Sequence, residues 1–257
     1  MAETLVRLVL EDRVARVTLN RPERHNALVP ELLTALDQIL ADCAGHDLVA
    51  LVLTAEGRSF STGGDVAAFA ARGRGERRSY AEALIGMLNR VILRLLDLPC
   101  PVVAAVQGPV TGGSCGLVFA ADLVAMAPRA FIQPYYVDVG FAPDGGWTAL
   151  LPERIGAARA GAIQFLNRRI GPEEAVALGL ASTVVADGEF GATVETWLAT
   201  LRGKEPASLA ATRRLLMSPA RRAAIADGLA RERAHFLQLI ETDATEAGMA
   251  RFLSRAA

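Results

Sequence analysis

The chain has 257 residues, enough for one large domain, and its 52% hydrophobic content is ample for a sizeable core. With 27 basic against 28 acidic side chains the net charge is −1, so neither nucleic acid nor a membrane surface is expected as the main partner. Cys43, Cys100 and Cys115 are scattered without metal or disulfide spacing, and neither a basic–apolar leader nor an uncharged apolar run of about 18 residues occurs; together these predict a cytoplasmic protein without a metal site.

Residues 5–10 and 14–19 alternate in polarity around Glu11-Asp12-Arg13 and predict a β-hairpin. Residues 20–26 form a polar loop, in which His25 reads as a surface side chain. Pro30 then opens a helix with Leu32, Leu33, Leu36, Ile39 and Leu40 on one face. Residues 49–54 predict a buried strand, followed by a glycine-rich exit over residues 57–66 and a short helix over 66–71. The polar, glycine-interrupted residues 72–78 read as a mobile segment over a site mouth. Tyr80, Ala83, Leu84, Met87, Leu88, Val91, Ile92 and Leu95 mark a helix that stops before Pro99.

The β-branched run 102–106 predicts a central strand. It leaves through Gln107-Gly108-Pro109 to a second glycine loop, Gly112-Gly113, and an apolar helix. Residues 123–127 give a further strand, with Asp122 beside it holding loop amides. Residues 131–147 are expected as the far wall of a pocket, and Asp138 within them has no evident role. Beyond residue 148 the pattern is mainly helical, over 155–166, 172–178, 191–201, 206–217, 220–240 and 244–253. A short strand interrupts it at 182–185, and residues 203–206 form a hinge.

The two glycine-rich strand exits carry the chemistry. On one parallel sheet both open at the strand C-termini, where α/β sheets bind ligands. Glycines let a ligand approach the main chain, and a helix start offers unpaired N–H donors. Two such N–H groups, one from each loop, can form an oxyanion hole, although each loop alone also fits an ordinary connector.

Phe60-Ser61-Thr62-Gly63-Gly64-Asp65-Val66, followed by Gln107-Gly108-Pro109-Val110-Thr111-Gly112-Gly113-Ser114-Cys115-Gly116, resembles the paired signature of the enoyl-CoA hydratase/isomerase (crotonase) family. Asn20-Arg21-Pro22, Asn26-Ala27-Leu28, Ala121-Asp122-Leu123, residues 140–146 and residues 248–253 fit the same order, so the resemblance spans nearly the whole chain. It implies an α/β fold, a crotonase-like spiral of ββα units with a helical C-terminal region used in oligomerisation. On that reading residues 1–200 form the core with the acyl-CoA site, and residues 201–257 a helical trimerisation region, giving a homotrimer or dimer of trimers. Gly64 and Gly113 would supply the oxyanion-hole N–H groups. Arg24, Ala27, Leu28, Thr62, Asp65 and Val66 would lie along coenzyme A, which is part of the substrate, so no separate cofactor is implied. Arg24 equally fits a solvated loop arginine, and Asp65 a loop cap.

The sequence departs from its hydrating relatives in its acids and bases. Those relatives carry two glutamates; here the first position holds Gly116 and the second Tyr135 or Tyr136. A tyrosine with an ordinary pKa near 10 is a poor base at neutral pH. The remaining carboxylate is Asp144, which fits a helix N-cap and equally a base shuttling one proton between the α- and γ-carbons. Tyr135, Tyr136, Phe141 and Trp147 would line the acyl pocket, or else belong to the core. The expected activity is enoyl-CoA double-bond isomerisation, with Gly64, Gly113 and Asp144 as catalytic groups. The alternatives are an enoyl-CoA hydratase, a hydrolase or dehalogenase using Asp144 as nucleophile, and a catalytically silent acyl-CoA-binding paralogue.

Overall fold

The computed structural model describes residues 4–186 and 188–256. Strands β1 (Val6–Glu11) and β2 (Val14–Leu19) form the expected antiparallel hairpin, with Asp12 and Arg13 both at positive φ in the two-residue turn. Helix α1 (Pro30–Cys43) has its proline in the first turn, where a missing N–H costs nothing. Strand β3 (Ala50–Ala55) follows, then α2 (Val66–Ala70), α3 (Arg74–Asp97), β4 (Val102–Val106), β5 (Val110–Thr111) and α4 (Cys115–Phe119). The middle of the chain adds β6 (Leu123–Met126), β7 (Ile132–Gln133), α5 (Tyr136–Val139), α6 (Leu151–Ile155), α7 (Ala157–Phe165), α8 (Pro172–Ala177) and β8 (Thr183–Val184). Helices α9 (Phe190–Arg202), α10 (Pro206–Leu216), α11 (Pro219–Leu239) and α12 (Asp243–Ala256) complete it.

The main sheet runs β1-β2-β3-β4-β6-β8, parallel throughout except for the first hairpin. Its central strands are apolar on both faces because helices cover both. Leu51, Leu53, Val102, Ala104 and Val106 join the core that includes α1 and α3, whereas Ala50, Val52, Val103 and Ala105 pack on Val194 and Leu198 of α9. Each fully buried leucine or valine here contributes roughly 1.5–3 kcal/mol. A second small sheet pairs β5 with β7, and bridges at Ser61–Val110 and Leu28–Gly64 tie the loops after β2 and β3 to it.

Two sequence expectations change. Residues 72–78 are not a mobile segment; from Arg74 they form the start of α3. Arg77 is buried there and donates to the carbonyls of Phe69 (3.1 Å) and Arg72 (3.0 Å) nearby and of Ile240 (3.4 Å) far along the chain, anchors that offset the weak helix propensity of Gly75. The helix expected over 155–166 is α7, but it starts only at Ala157, because Gly156, whose φ of +84° belongs to a region that side chains rarely adopt, separates it from α6. Asp122 behaves as expected, accepting from the Val102 N–H (2.7 Å) and from Arg213 Nε (2.7 Å).

The C-terminal helices close over the same chain's core: α11 packs on α3, and α12 on α2 and α5. Among the described residues no helix is long and apolar enough to cross a membrane.

Candidate active site

The two glycine loops are stitched together by main chain. Phe60 and Ser61 N–H donate to Pro109 O (3.0 and 3.2 Å), Thr111 N–H donates to Ser61 O (3.0 Å), and Ser114 Oγ donates to the same oxygen (3.0 Å). Gly63 sits at φ +76°, and a Cβ there would lie 2.7 Å from Thr111 O, so the loops approach as closely as glycine allows.

Within this contact the two donors acquire their directions. Leu28 N–H bonds Gly63 O (2.7 Å) and Asp65 N–H bonds Leu28 O (3.4 Å). The pairing therefore uses the neighbours of Gly64 and leaves Gly64's own N–H turned away from Leu28. Gly113 is the second residue of a 3-10 turn (Gly112–Ser114), ahead of any acceptor inside it. Trp147 Nε1 donates to Gly112 O (2.8 Å). Because a trans peptide is planar, holding that carbonyl on the core side directs the Gly113 N–H the opposite way. Among the described residues neither Gly64 N–H nor Gly113 N–H has a protein acceptor, and both residues line one cavity of about 500 Å³.

Asp144 lines this cavity and is 8% exposed. Tyr136 Oη donates to its Oδ1 (2.6 Å). That oxygen lies 2.5 Å from where a Cβ on Gly113 would be, which places the carboxylate directly against the second glycine loop. Burial raises the Asp144 pKa, the Tyr136 bond opposes this, and the nearby Glu232 carboxylate raises it further, to about 7. Burial and the adjacent carboxylate hold Tyr136 well above the usual phenol range, so it serves as a fixed donor.

The N-cap reading of Asp144 fails because another side chain takes the amides. Glu232, on α11, accepts from Gly146 N–H (2.8 Å), Thr148 N–H (2.6 Å), Ala149 N–H (3.1 Å) and Thr148 Oγ1 (2.7 Å). Burial pushes its carboxyl upward while these bonds pull it back. Sequence reading missed Glu232; its signal is an acid within the stripe Ile225, Leu229, Glu232, Phe236.

The position of the first hydratase glutamate is filled by main chain. A Cβ on Gly116 would meet Gly145 O at 2.3 Å and Ile92 Cδ1 at 2.5 Å. At the second position it is Tyr136 whose hydroxyl reaches the carboxylate. Tyr135 adopts a left-handed conformation, its N–H bonded to Asn167 Oδ1 (2.9 Å). Asn167 is in turn held by Asp138 (2.7 Å), which supplies the missing account of Asp138.

Of the residues expected along the substrate, Arg24, Ala27, Leu28, Thr62, Asp65, Val66, Tyr135 and Tyr136 line the cavity. Trp147 does not: it is fully buried in the core, edge-on to Phe119, and acts from behind the loop. At the mouth Arg24 donates to Asp65 (3.0 Å), which also caps α2 through Ala68 N–H (3.2 Å). Burial alone would raise the Asp65 pKa, but the bonds from Arg24 and Ala68 outweigh it and hold the carboxyl below its usual range. His25 also lines the mouth, its Nδ1 3.2 Å from Ser59 Oγ. The deeper wall is apolar: Phe69, Phe141 and Phe236 pack with ring centroids 4.8–6.0 Å apart, beside Leu84 and Leu88. The described residues contain no cluster of three or more potential metal ligands.

Comparison with known proteins places this geometry. The sequence model of the enoyl-CoA hydratase/isomerase family matches residues 10–257. "Probable enoyl-CoA hydratase EchA12" of Mycobacterium tuberculosis is 33% identical over 253 residues, covering 95% of this chain and 88% of that protein. A "4-chlorobenzoyl coenzyme A dehalogenase-2" of Arthrobacter sp. is 32% identical over 180 residues, 70% of this chain and 65% of its own. Among solved structures, an enoyl-CoA hydratase from Mycobacterium avium subsp. paratuberculosis superposes with a TM-score of 0.87 at 27% identity, covering 97% of this chain and 99% of that one. One from Bacillus halodurans, 22% identical, shares the fold with a TM-score of 0.89 over 96% of this chain and 100% of that one. The chain belongs to the enoyl-CoA hydratase/isomerase (crotonase) family.

Proposed function

We propose that the protein isomerises an enoyl-CoA, moving a double bond into conjugation with the thioester by means of a single carboxylate. The observation that carries this reading is the exchange of acids around the second glycine loop. Gly145 main chain occupies the space that a side chain at Gly116 would need, while Asp144 stands against Gly113 with a pKa of about 7. A carboxylate with that pKa is matched to proton transfer near neutrality.

The thioester carbonyl would accept from Gly64 N–H and Gly113 N–H, which stabilise negative charge on its oxygen as the α-carbon loses a proton. Donors of this kind have been worth roughly 3–4 kcal/mol each in other enzymes. Asp144 takes the α-proton of a 3-enoyl thioester, giving a dienolate, and returns the same proton to the γ-carbon. The product is the 2-enoyl thioester. No water is consumed and the carboxylate is regenerated, so one base suffices. Tyr136 keeps Oδ1 fixed throughout. The three phenylalanines and two leucines of the deeper wall favour an uncharged, flat or unsaturated acyl group, and the Arg24 end suits the coenzyme. Phe165, Leu166, Leu215 and Leu216, largely exposed at the ends of α7 and α10, support association of copies of this chain into a trimer or a dimer of trimers.

A second reading is favoured by the dehalogenase relative: the same carboxylate could attack an aryl carbon as a nucleophile and expel halide. One comparison separates the readings. Purified protein is incubated with a 3-enoyl-CoA, a 2-enoyl-CoA and a 4-chlorobenzoyl-CoA, following conjugated-thioester absorbance and chloride release. Appearance of conjugated absorbance from the 3-enoyl substrate supports the isomerase. Loss of absorbance with water addition would instead make it a hydratase, chloride release a dehalogenase, and binding without turnover a silent paralogue.

A further inference from the structure

We propose that Glu232, reaching from helix α11, is a positioning residue for the proton transfer: it fixes the 146–149 turn by main chain and thereby presents the Asp144 carboxylate to the cavity. The inference rests on the reading of Asp144 as the base.

Glu232 is 4% exposed and forms no ion pair among the described residues. Its charge is met by three main-chain N–H groups and one hydroxyl, all donors, which is the partner set of an ionised carboxylate. A buried charge balanced only by dipoles carries a large desolvation penalty before its bonds are counted. Holding a turn does not require that cost, because a local Ser, Thr or Asn side chain offers a neutral acceptor. What the long-range carboxylate adds is reach and charge. It grips the turn directly after Asp144 from an element 83 to 86 positions further along the chain. It also places a negative charge behind the base.

The groups around Asp144 make that charge effective. Tyr136 from α5, Cys115 at the start of α4 and Glu232 from α11 are the ionisable side chains that act on it or feel it. None is cationic, and α3 contributes Leu88 and Ile92 at the loop beside it. Burial is the largest influence raising Asp144, Tyr136 opposes it and Glu232 reinforces it. Phe236, one helical turn beyond Glu232, lines the deeper wall, so α11 sets the base and the acyl wall together.

The test compares Glu232→Gln and Glu232→Asp with Asp144→Asn, reading kcat and KM separately from pH 5 to 9 on the substrate turned over by the wild type, with thermal unfolding alongside. Glu232→Gln keeps the length and removes the charge. It is expected to lower kcat by about tenfold or more with KM nearly unchanged, and to move the acid limb of the profile to lower pH. Glu232→Asp keeps the charge and shortens the reach, so kcat falls while the limb stays near its wild-type position. Wild-type kcat and limb in Glu232→Gln would overturn the proposal even if thermal stability fell. Should that variant not fold, wild-type kcat in Glu232→Asp overturns it equally. Full activity in Asp144→Asn would instead remove the reading of Asp144 as the base.

Discussion

The two ends of the cavity hold carboxylates of similar exposure, different depth and opposite behaviour. At the mouth, Asp65 accepts from Arg24 and caps α2, and its carboxyl is held below the usual range. At the deep end, Asp144 has one phenol donor, a second carboxylate behind it and, among the described residues, no cation, and its pKa is raised to about 7. Both are 8% exposed. Burial raises both carboxyls, but it is deeper at Asp144, where no cation opposes it, whereas at Asp65 the bonds from Arg24 and the start of α2 outweigh it. The glycine loops differ in a similar way. The first lies beside solvent-facing residues, whereas the second is buried and propped by Trp147.

The sharpest way to break this contrast is to disturb the deep end sterically. In Gly113→Ala the methyl would sit 2.5 Å from Asp144 Oδ1 and 2.9 Å from Leu88 Cδ2. Turnover should fall roughly 10²- to 10³-fold, measured as kcat with acyl-CoA affinity determined separately. Tyr136→Phe removes the donor that lowers the Asp144 pKa. The active form is the carboxylate, so the acid limb should move to higher pH, with about tenfold less activity at pH 7 recovered at pH 9. Trp147→Phe leaves Gly112 O without its partner in the core. Calorimetry should register a loss of about 1–3 kcal/mol, and kcat should drop several-fold as Gly113 N–H loses its direction. Arg24→Ala tests the mouth. Arg24 is 51% exposed, so stability should change by less than about 1 kcal/mol, and the effect should appear in KM, diminishing with added salt.

Much of the fold was legible because its signals are local. Alternation gave the first hairpin, short apolar runs gave β3 and β4, and glycine pairs after strands marked the loops that meet. Asp144 stood out because it was a carboxylate left near the site once Gly116 and the tyrosines had replaced the glutamates. What stayed hidden depends on contacts far apart in sequence. Trp147 looked like a pocket aromatic, but its indole N–H belongs to Gly112 O, 35 residues away. Glu232 looked like one acid among many on a charged helix, and only its place on the apolar stripe hinted at burial. Residues 72–78 read as mobile because glycine and charge dominate locally, whereas Arg77 is anchored on Ile240, 163 residues away.

The central claim is that Asp144 is the base over a hole made of main-chain amides, and Asp144→Asn tests it most directly. Asparagine keeps the acceptor for Tyr136 and removes the titrating group. A carboxyl whose pKa rises on folding weakens the fold as pH climbs from about 4 towards 7, so above pH 7 this variant should be no less stable than the wild type. The measurement is the rate of conjugated-thioester formation from a 3-enoyl-CoA between pH 5 and 9, with binding followed in parallel. The account predicts a wild-type rate that rises through about pH 7 and a variant that binds the substrate but turns it over at least about 10³-fold more slowly at every pH. A folded Asp144→Asn protein that keeps the wild-type rate and its pH dependence would contradict it.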